Sequence, residues 1–401
     1  MFFPMLYMLL SGKVGRIRLP DLCVILICIW SSISYVVLHG FAATIETIGI
    51  LWVETLGAYL VGRCFIRTSD DFFAAIQFIF RVSIFVIPVG IYELQTGQRV
   101  LLQVADIFGS TYPPNHQPGR LGLTRVQGPF AHPIHFGVFF GVMVGVAYFV
   151  LGYGKKWFSR IWRAGIFIAL CFLSLSSGPL IAAITQIYFI VWNGVFNTVK
   201  SRWYILAGIL SFLYIVIDII SNRSPIAVFV SYAAFQAHTA YARIVQWEYG
   251  TQSIWENPIF GIGLSGEWGQ LYWMGTSVDM FWILPAMRHG VLVWGLWFTL
   301  FFSVFFAIAY RNNLSDKIYF YRLGYLCSMS GLFLSGWAVH FWDVTYVYLL
   351  FFIASGIWML DWKETGEVTA SPELSANDKK RELNYTRFPK NRSGANAHNR
   401  S

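Results

Sequence analysis

Long apolar stretches separated by short basic segments are the feature that most limits what this chain can fold into. Crossing a hydrocarbon core of about 30 Å takes roughly 20 helical residues. Stretches of that size fall at 21–38, 41–61, 72–90, 131–151, 162–177, 179–197, 203–220, 288–309, 319–338 and 344–361. Only 12% of the 401 residues are charged, and mean hydropathy is +0.56; a soluble domain carries about 25% charged residues. The expected fold is all-α: a polytopic membrane helical bundle of about ten transmembrane helices. The alternating segments of about ten residues that mark a membrane barrel are not the pattern here. Met1 to Leu10 is apolar but too short to cross alone, and is either interfacial or part of a further span.

Lysine and arginine set the orientation, because cytoplasmic loops hold the excess. With both termini cytoplasmic, the inner loops carry Lys13, Arg16, Arg18, Arg63, Arg67, Lys155, Lys156, Arg160, Arg163, Lys200, Arg202, Arg311, Lys317 and Arg322. A further basic group lies in the tail, from Lys363 to Arg400. Of the 29 basic residues, Arg81 falls inside a span, while Arg99, Arg120, Arg125, Arg223, Arg243 and Arg288 fall on the outer side, against the rule. The net charge of +9 is therefore mainly a topology signal. Its division among loops argues against a nucleic-acid partner. The five cysteines lie in or beside spans, with no disulfide pattern and no metal-ligand spacing, so neither metal nor cofactor is expected. No small-residue cleavage site marks a signal peptide. Two regions are expected: a membrane domain over 1–361, and a disordered basic cytoplasmic tail over 362–401 that is either simply solvated or touches anionic head groups.

Two outer loops are long, about 92–130 and 221–287, and their Trp, Tyr, Gly and Pro content points to ordered structure, including a helix over 233–255. Ser174-Leu-Ser-Ser-Gly-Pro179 breaks an apolar run and reads as a hairpin apex between two spans. Arg125 and Arg243 are candidates for binding a diphosphate, since guanidinium is always charged and matches phosphate oxygens in bidentate fashion. The alternative is snorkelling, or pairing with Glu248 or Asp106, and this is the preferred reading for Arg99, Arg120 and Arg223. Asp279 and Arg288 are candidate catalytic residues: the carboxylate can accept a proton from a hydroxyl, or can instead cap a helix or pair with Arg288. His132, His135 and His340 form a possible polar rim, with ordinary loop hydrogen bonds as the competing reading. Trp268, Trp273 and Trp282 are possible sugar-stacking residues or members of an interfacial belt. Glu46 and Glu54 are read as structural, either protonated or paired with Arg81.

Taken in order, Arg125 before Gly128-Pro129-Phe130 and His132-Pro133, the Ser-Leu-Ser-Ser-Gly apex, Arg243 ahead of Asn257-Pro-Ile-Phe-Gly-Ile-Gly263, and the segment ending Arg288-His289-Gly290 resemble the bacterial O-antigen ligase/polymerase (Wzy-type) superfamily. The resemblance runs over about 92–360 and is nearest in character to exopolysaccharide polymerases. Ligases of the superfamily carry a His-(Asn/Ser/Gln)-x-x-Leu…Gly motif; the matching positions here are Asp279, Met280, Ile283 and Gly290, so aspartate stands at the histidine position and a polymerase is favoured.

The resemblance implies a metal-independent glycosyltransferase at the outer face of the bacterial inner membrane. It would transfer a growing glycan from undecaprenyl diphosphate to a lipid-linked repeat unit in exopolysaccharide or O-antigen biosynthesis. Arg125 and Arg243 would hold the diphosphate, Asp279 would orient or deprotonate the acceptor, and Arg288 would hold Asp279 or a phosphate. A flippase and a chain-length regulator would be the protein partners. The alternatives are a ligase to a lipid or protein acceptor, a flippase or transporter of lipid-linked sugars, and a scaffold. Polar residues gathered on one side argue against transport, whose sites lie near the midplane.

Overall fold

A computed structural model of the chain describes residues 1–109, 112–115, 118–222, 228 and 237–363. Every regular element among them is helical; one β-bridge, Arg120 with Leu123, closes a turn. In chain order the helices are α1 (Phe2–Leu10), α2 (Leu19–His39), α3 (Phe41–Trp52), α4 (Ala58–Phe65), α5 (Ser69–Thr96), α6 (Val100–Asp106), α7 (Pro133–Val142), α8 (Val144–Phe149) and α9 (Trp157–Leu173). They continue as α10 (Ser177–Val195), α11 (Arg202–Ile220), α12 (Ala237–Glu256), α13 (Leu284–His289), α14 (Val291–Ala309), α15 (Asp316–Gly336), α16 (Asp343–Ser355) and α17 (Trp358–Asp361). A π-helical turn, Val53–Gly57, joins α3 to α4.

Seven helical segments are long and apolar enough to cross a membrane: Leu19–His39, Phe41–Phe65, Ser69–Thr96, Ser177–Val195, Arg202–Ile220, Val291–Ala309 and Asp343–Asp361. Three other expected spans are also helical but do not meet that length and composition. The stretch expected at 131–151 breaks at Met143 into α7 and α8. Helix α9 has 17 residues, and α15 carries Asp316, Lys317 and Arg322. The tail expected to be disordered lies outside the described residues beyond Lys363, as does Arg223.

A break in an apolar helix leaves backbone groups that need partners where water is scarce. At Met143, side chains from two other helices supply them. Gln186 of α10 accepts from Gly145 N at 2.9 Å and donates to Gly141 O at 2.9 Å, while Ser328 Oγ of α15 accepts from Val146 N at 3.3 Å. Gly137, Gly141 and Gly145 recur every four residues, a small-residue ridge that lets helices approach closely. A Cβ at Gly137 would stand 2.4 Å from Ser174 Oγ, and one at Gly141 2.9 Å from Cys171 Sγ. This ridge brings the start of α7 against the 174–176 apex.

The segment between α12 and α14 is held by a second lock. Ile262 N donates to Met287 O, Gly263 N to Arg288 O and Val291 N to Pro258 O, at 2.8–3.0 Å. Gly290 has φ +87°, and a Cβ there would stand 2.1 Å from Ile259 O, so only glycine fits this approach. The locked turn is tied to α2 by Ser34 Oγ donating to Phe260 O at 2.6 Å and Trp30 Nε1 donating to His289 O at 3.1 Å.

Candidate functional site

Two neighbouring cavities meet at the His340–Trp342 turn, which lines both. The first, about 420 Å³, is lined by Arg120, Arg125, His132, His135, Ser277 and Asp279 together with that turn. Its residues come from three separate segments: the loop before α7 with that helix's first turn, the stretch before α13, and the α15–α16 connection.

The arginines are set by the hairpin apex between α9 and α10. Leu175 turns with φ +45°, presenting carbonyls to the cavity side. Arg125 Nε donates to Ser174 O at 3.3 Å and its Nη2 to Ser176 Oγ at 2.8 Å; Arg120 Nη1 donates to Leu175 O at 2.7 Å. Arg125 is 4% exposed, and its hydrogen-bond partners among the described residues are neutral, not Glu248 or Asp106. Burial and the nearby Arg120 guanidinium pull its pKa down to about 10, which still leaves it charged at neutral pH. Two guanidinium groups lining one cavity, one of them buried on neutral partners, are chemically suited to an anion.

The loop carrying Arg125 is fixed from behind by residues the sequence reading did not single out. Buried Glu93, near the end of α5, accepts from Gln127 N at 2.7 Å and from Gly128 N at 3.2 Å. The Gln127 side chain bonds Asn115 N, Pro113 O and Ala131 O in turn. An acid at the end of an apolar helix was the available signal for Glu93.

Asp279 is exposed toward the first cavity, while its backbone N–H donates to Gln246 Oε1 of α12 at 3.0 Å. Gln246 also donates to Ser277 O at 3.3 Å, so one buried amide pins this segment to the helix carrying Arg243. The surrounding protein raises the Asp279 pKa by desolvation, partly offset by the charge of Arg243. Arg243 is 6% exposed with its Nε unsatisfied; burial lowers its pKa, Asp279 opposes that shift, and Arg120 adds to it. Arg243 therefore stands behind Asp279 instead of lining the cavity. Asp279 caps no helix, since α13 begins after Ile283, and it forms no ion pair with Arg288 among the described residues.

The histidines divide by role. His132 caps α7, its Nδ1 accepting from Ile134 N at 3.0 Å, which leaves Nε2–H available to the cavity. His135 is a structural pin: Trp342 Nε1 donates to its Nε2, so the ring proton goes to Nδ1, facing Thr345 Oγ1 at 2.6 Å. His340 lines both cavities, and its pKa is lowered to about 4 by burial and by the nearby Arg288.

Arg288 is not brought to Asp279. The glycine-locked turn directs it into the second cavity, of about 310 Å³, beside Tyr35 of α2. Nor do the expected tryptophans line either cavity. Trp282 is fully buried among Phe298, Phe301 and Phe333, with Nε1 donating to Phe333 O at 2.8 Å, so its faces are used by the core. Trp268 is 3% exposed and bonds Thr276 O. Trp273 is exposed and stacks on Tyr241, with centroids 6.1 Å apart and rings 16° from parallel. The cavity-lining tryptophans are instead Trp342 and Trp297. Among the described residues no cluster of His, Cys, Asp or Glu has the grouping of a metal site. No protein-family model matches the chain, and no curated protein matches it in sequence.

Proposed function

We propose that the chain is a glycan polymerase of the O-antigen ligase/polymerase type, transferring a growing glycan from undecaprenyl diphosphate to a lipid-linked repeat unit. The observation carrying this reading is one cavity that holds Arg120, Arg125 and the free His132 Nε2–H opposite the Asp279 carboxylate. Cationic and N–H donors suit a diphosphate leaving group; a carboxylate with a raised pKa suits an acceptor hydroxyl. In the reaction, the acceptor oxygen bonds to the anomeric carbon of the donor glycan, and the carbon–oxygen bond to the diphosphate breaks. Undecaprenyl diphosphate leaves with the electron pair, and the hydroxyl proton passes to Asp279. Arg120 joins Arg125 in holding the diphosphate, and Arg243 keeps Asp279 ionised from behind.

In this reading the chain crosses a bacterial inner membrane about ten times, three of the crossings made by α7–α8, α9 and α15, with the cavities at the outer face and both termini cytoplasmic. A flippase would supply the lipid-linked units, and a chain-length regulator would act on the product. Turnover by the full chain in nanodiscs tests the reading, using a synthetic repeat unit on undecaprenyl diphosphate. A ladder of longer glycans with stoichiometric release of lipid diphosphate is expected. Single additions to an unrelated acceptor would mark a ligase, and translocation without new bonds a flippase.

A further inference from the structure

The second cavity is not accounted for by the diphosphate chemistry. It opens between α2, α3, the π-helical turn and the start of α16, and shares His340 and Trp342 with the first. Four observations set it apart. The π-helical turn Val53–Gly57 carries Glu54 on its wall, and single π turns inside α-helices concentrate at functional sites. Asp343 lines the same space in a left-handed conformation, φ +47°, which a non-glycine residue adopts at a cost. Arg288 lines the same cavity as these two carboxylates, and Tyr112 hydrogen-bonds Asp343. Finally, Ser31 Oγ and His289 Nδ1 belong to lining residues 0% and 6% exposed, and neither atom has a hydrogen-bond partner among the described residues. Buried polar atoms of this kind are normally satisfied, so two unmet ones just behind the lining add polarity to this wall.

Two carboxylates and a guanidinium lining one cavity with aromatic side chains (Trp297, Tyr35, Trp342) match the chemistry of a sugar ring, which offers hydroxyl donors and acceptors at its edge and C–H faces above and below. A volume of about 310 Å³ is at the small end of the range for ligand sites, about 300–1,000 Å³. We propose that this cavity is the subsite for the acceptor sugar, with Glu54 and Asp343 accepting hydrogen bonds from its hydroxyls and Arg288 donating to its oxygens. As an acceptor site it rests on the transferase reading; as a sugar site it does not. The common His340–Trp342 wall then separates the donor diphosphate from the acceptor ring.

The test uses the full chain in nanodiscs and a methyl glycoside panel carrying a photoactivatable diazirine, with labelled peptides mapped by mass spectrometry. Labels on the peptides containing Glu54 and Asp343, competed by the unmodified methyl glycoside, are expected. Labelling should fall about tenfold in Glu54→Gln and in Asp343→Asn, the loss of a hydrogen bond to a charged group. Asparagine tolerates the left-handed backbone at 343, so that variant keeps the local fold. Undecaprenyl diphosphate binding is measured in parallel, and should be lost in Arg125→Ala and kept in both carboxylate variants. Labels mapping elsewhere, or unchanged in both variants, would overturn the sugar subsite and leave the diphosphate reading standing. Labels in this cavity, from a wild-type protein that binds no lipid diphosphate, would keep the subsite and remove the transferase reading.

Discussion

Asp279 and His340 face the same cavity with opposite shifts, and both shifts have measurable signs. A carboxyl whose pKa is raised by desolvation takes up its proton at a higher pH than the usual value of about 3.9. If its ionised form receives the acceptor proton, activity falls as pH drops through that raised value. The acid limb of kcat/KM should therefore lie above the ordinary carboxylate range, and Asp279→Asn should reduce kcat about 10²–10⁴-fold and remove the limb. An unchanged limb in the variant would assign it to another group. His340 works the other way. Its pKa drops from 6.5 to about 4 on folding, so the folded state binds fewer protons than the unfolded one. Its contribution is intact above pH 6.5 and is lost as pH falls toward 4. Thermal unfolding followed across that window should show a shallower loss in His340→Asn than in wild type.

At the scale of elements, the site depends on two close approaches that glycine permits. Gly290→Ala forces a Cβ to within 2.1 Å of Ile259 O at φ +87°, and should unlatch the 257–263 turn from the residues before α14. A large drop in thermal stability is expected, with increased proteolysis between α12 and α14; a neutral outcome would mean that the turn is not held as described. Trp282→Ala separates packing from sugar contact. Removing a side chain buried against three phenylalanines should cost about 3–5 kcal/mol of stability. The fraction that stays folded should bind acceptor with an unchanged KM. A raised KM at unchanged stability would return Trp282 to a sugar-stacking role.

For the whole molecule, what could be read from sequence followed from what periodicity and charge encode. Apolar stretches gave helices because backbone polar groups in an apolar setting must be satisfied within the segment. Arg125, Asp279 and His132 stood out because charge and polarity are scarce in such a chain, and they do share a cavity. Arg288 was misplaced because spacing along α13 does not show that Gly263 and Gly290 fold the chain back onto α2. The place of Arg120 on the cavity wall is not legible in sequence, because it is set by the Leu175 carbonyl, 55 residues away. That Glu54 lines a cavity is not legible in sequence, because the π turn carrying it has no visible signature there.

In the proposed reaction the Arg120–Arg125–Asp279 cavity holds and displaces a lipid diphosphate. The most direct measurement compares undecaprenyl diphosphate binding and glycan ladder formation, side by side, in wild type, Arg125→Ala and Asp279→Asn. Wild type is expected to do both, Arg125→Ala to lose both by about 10²-fold or more, and Asp279→Asn to keep binding while losing the ladder. A full ladder from either variant would contradict that role for the cavity.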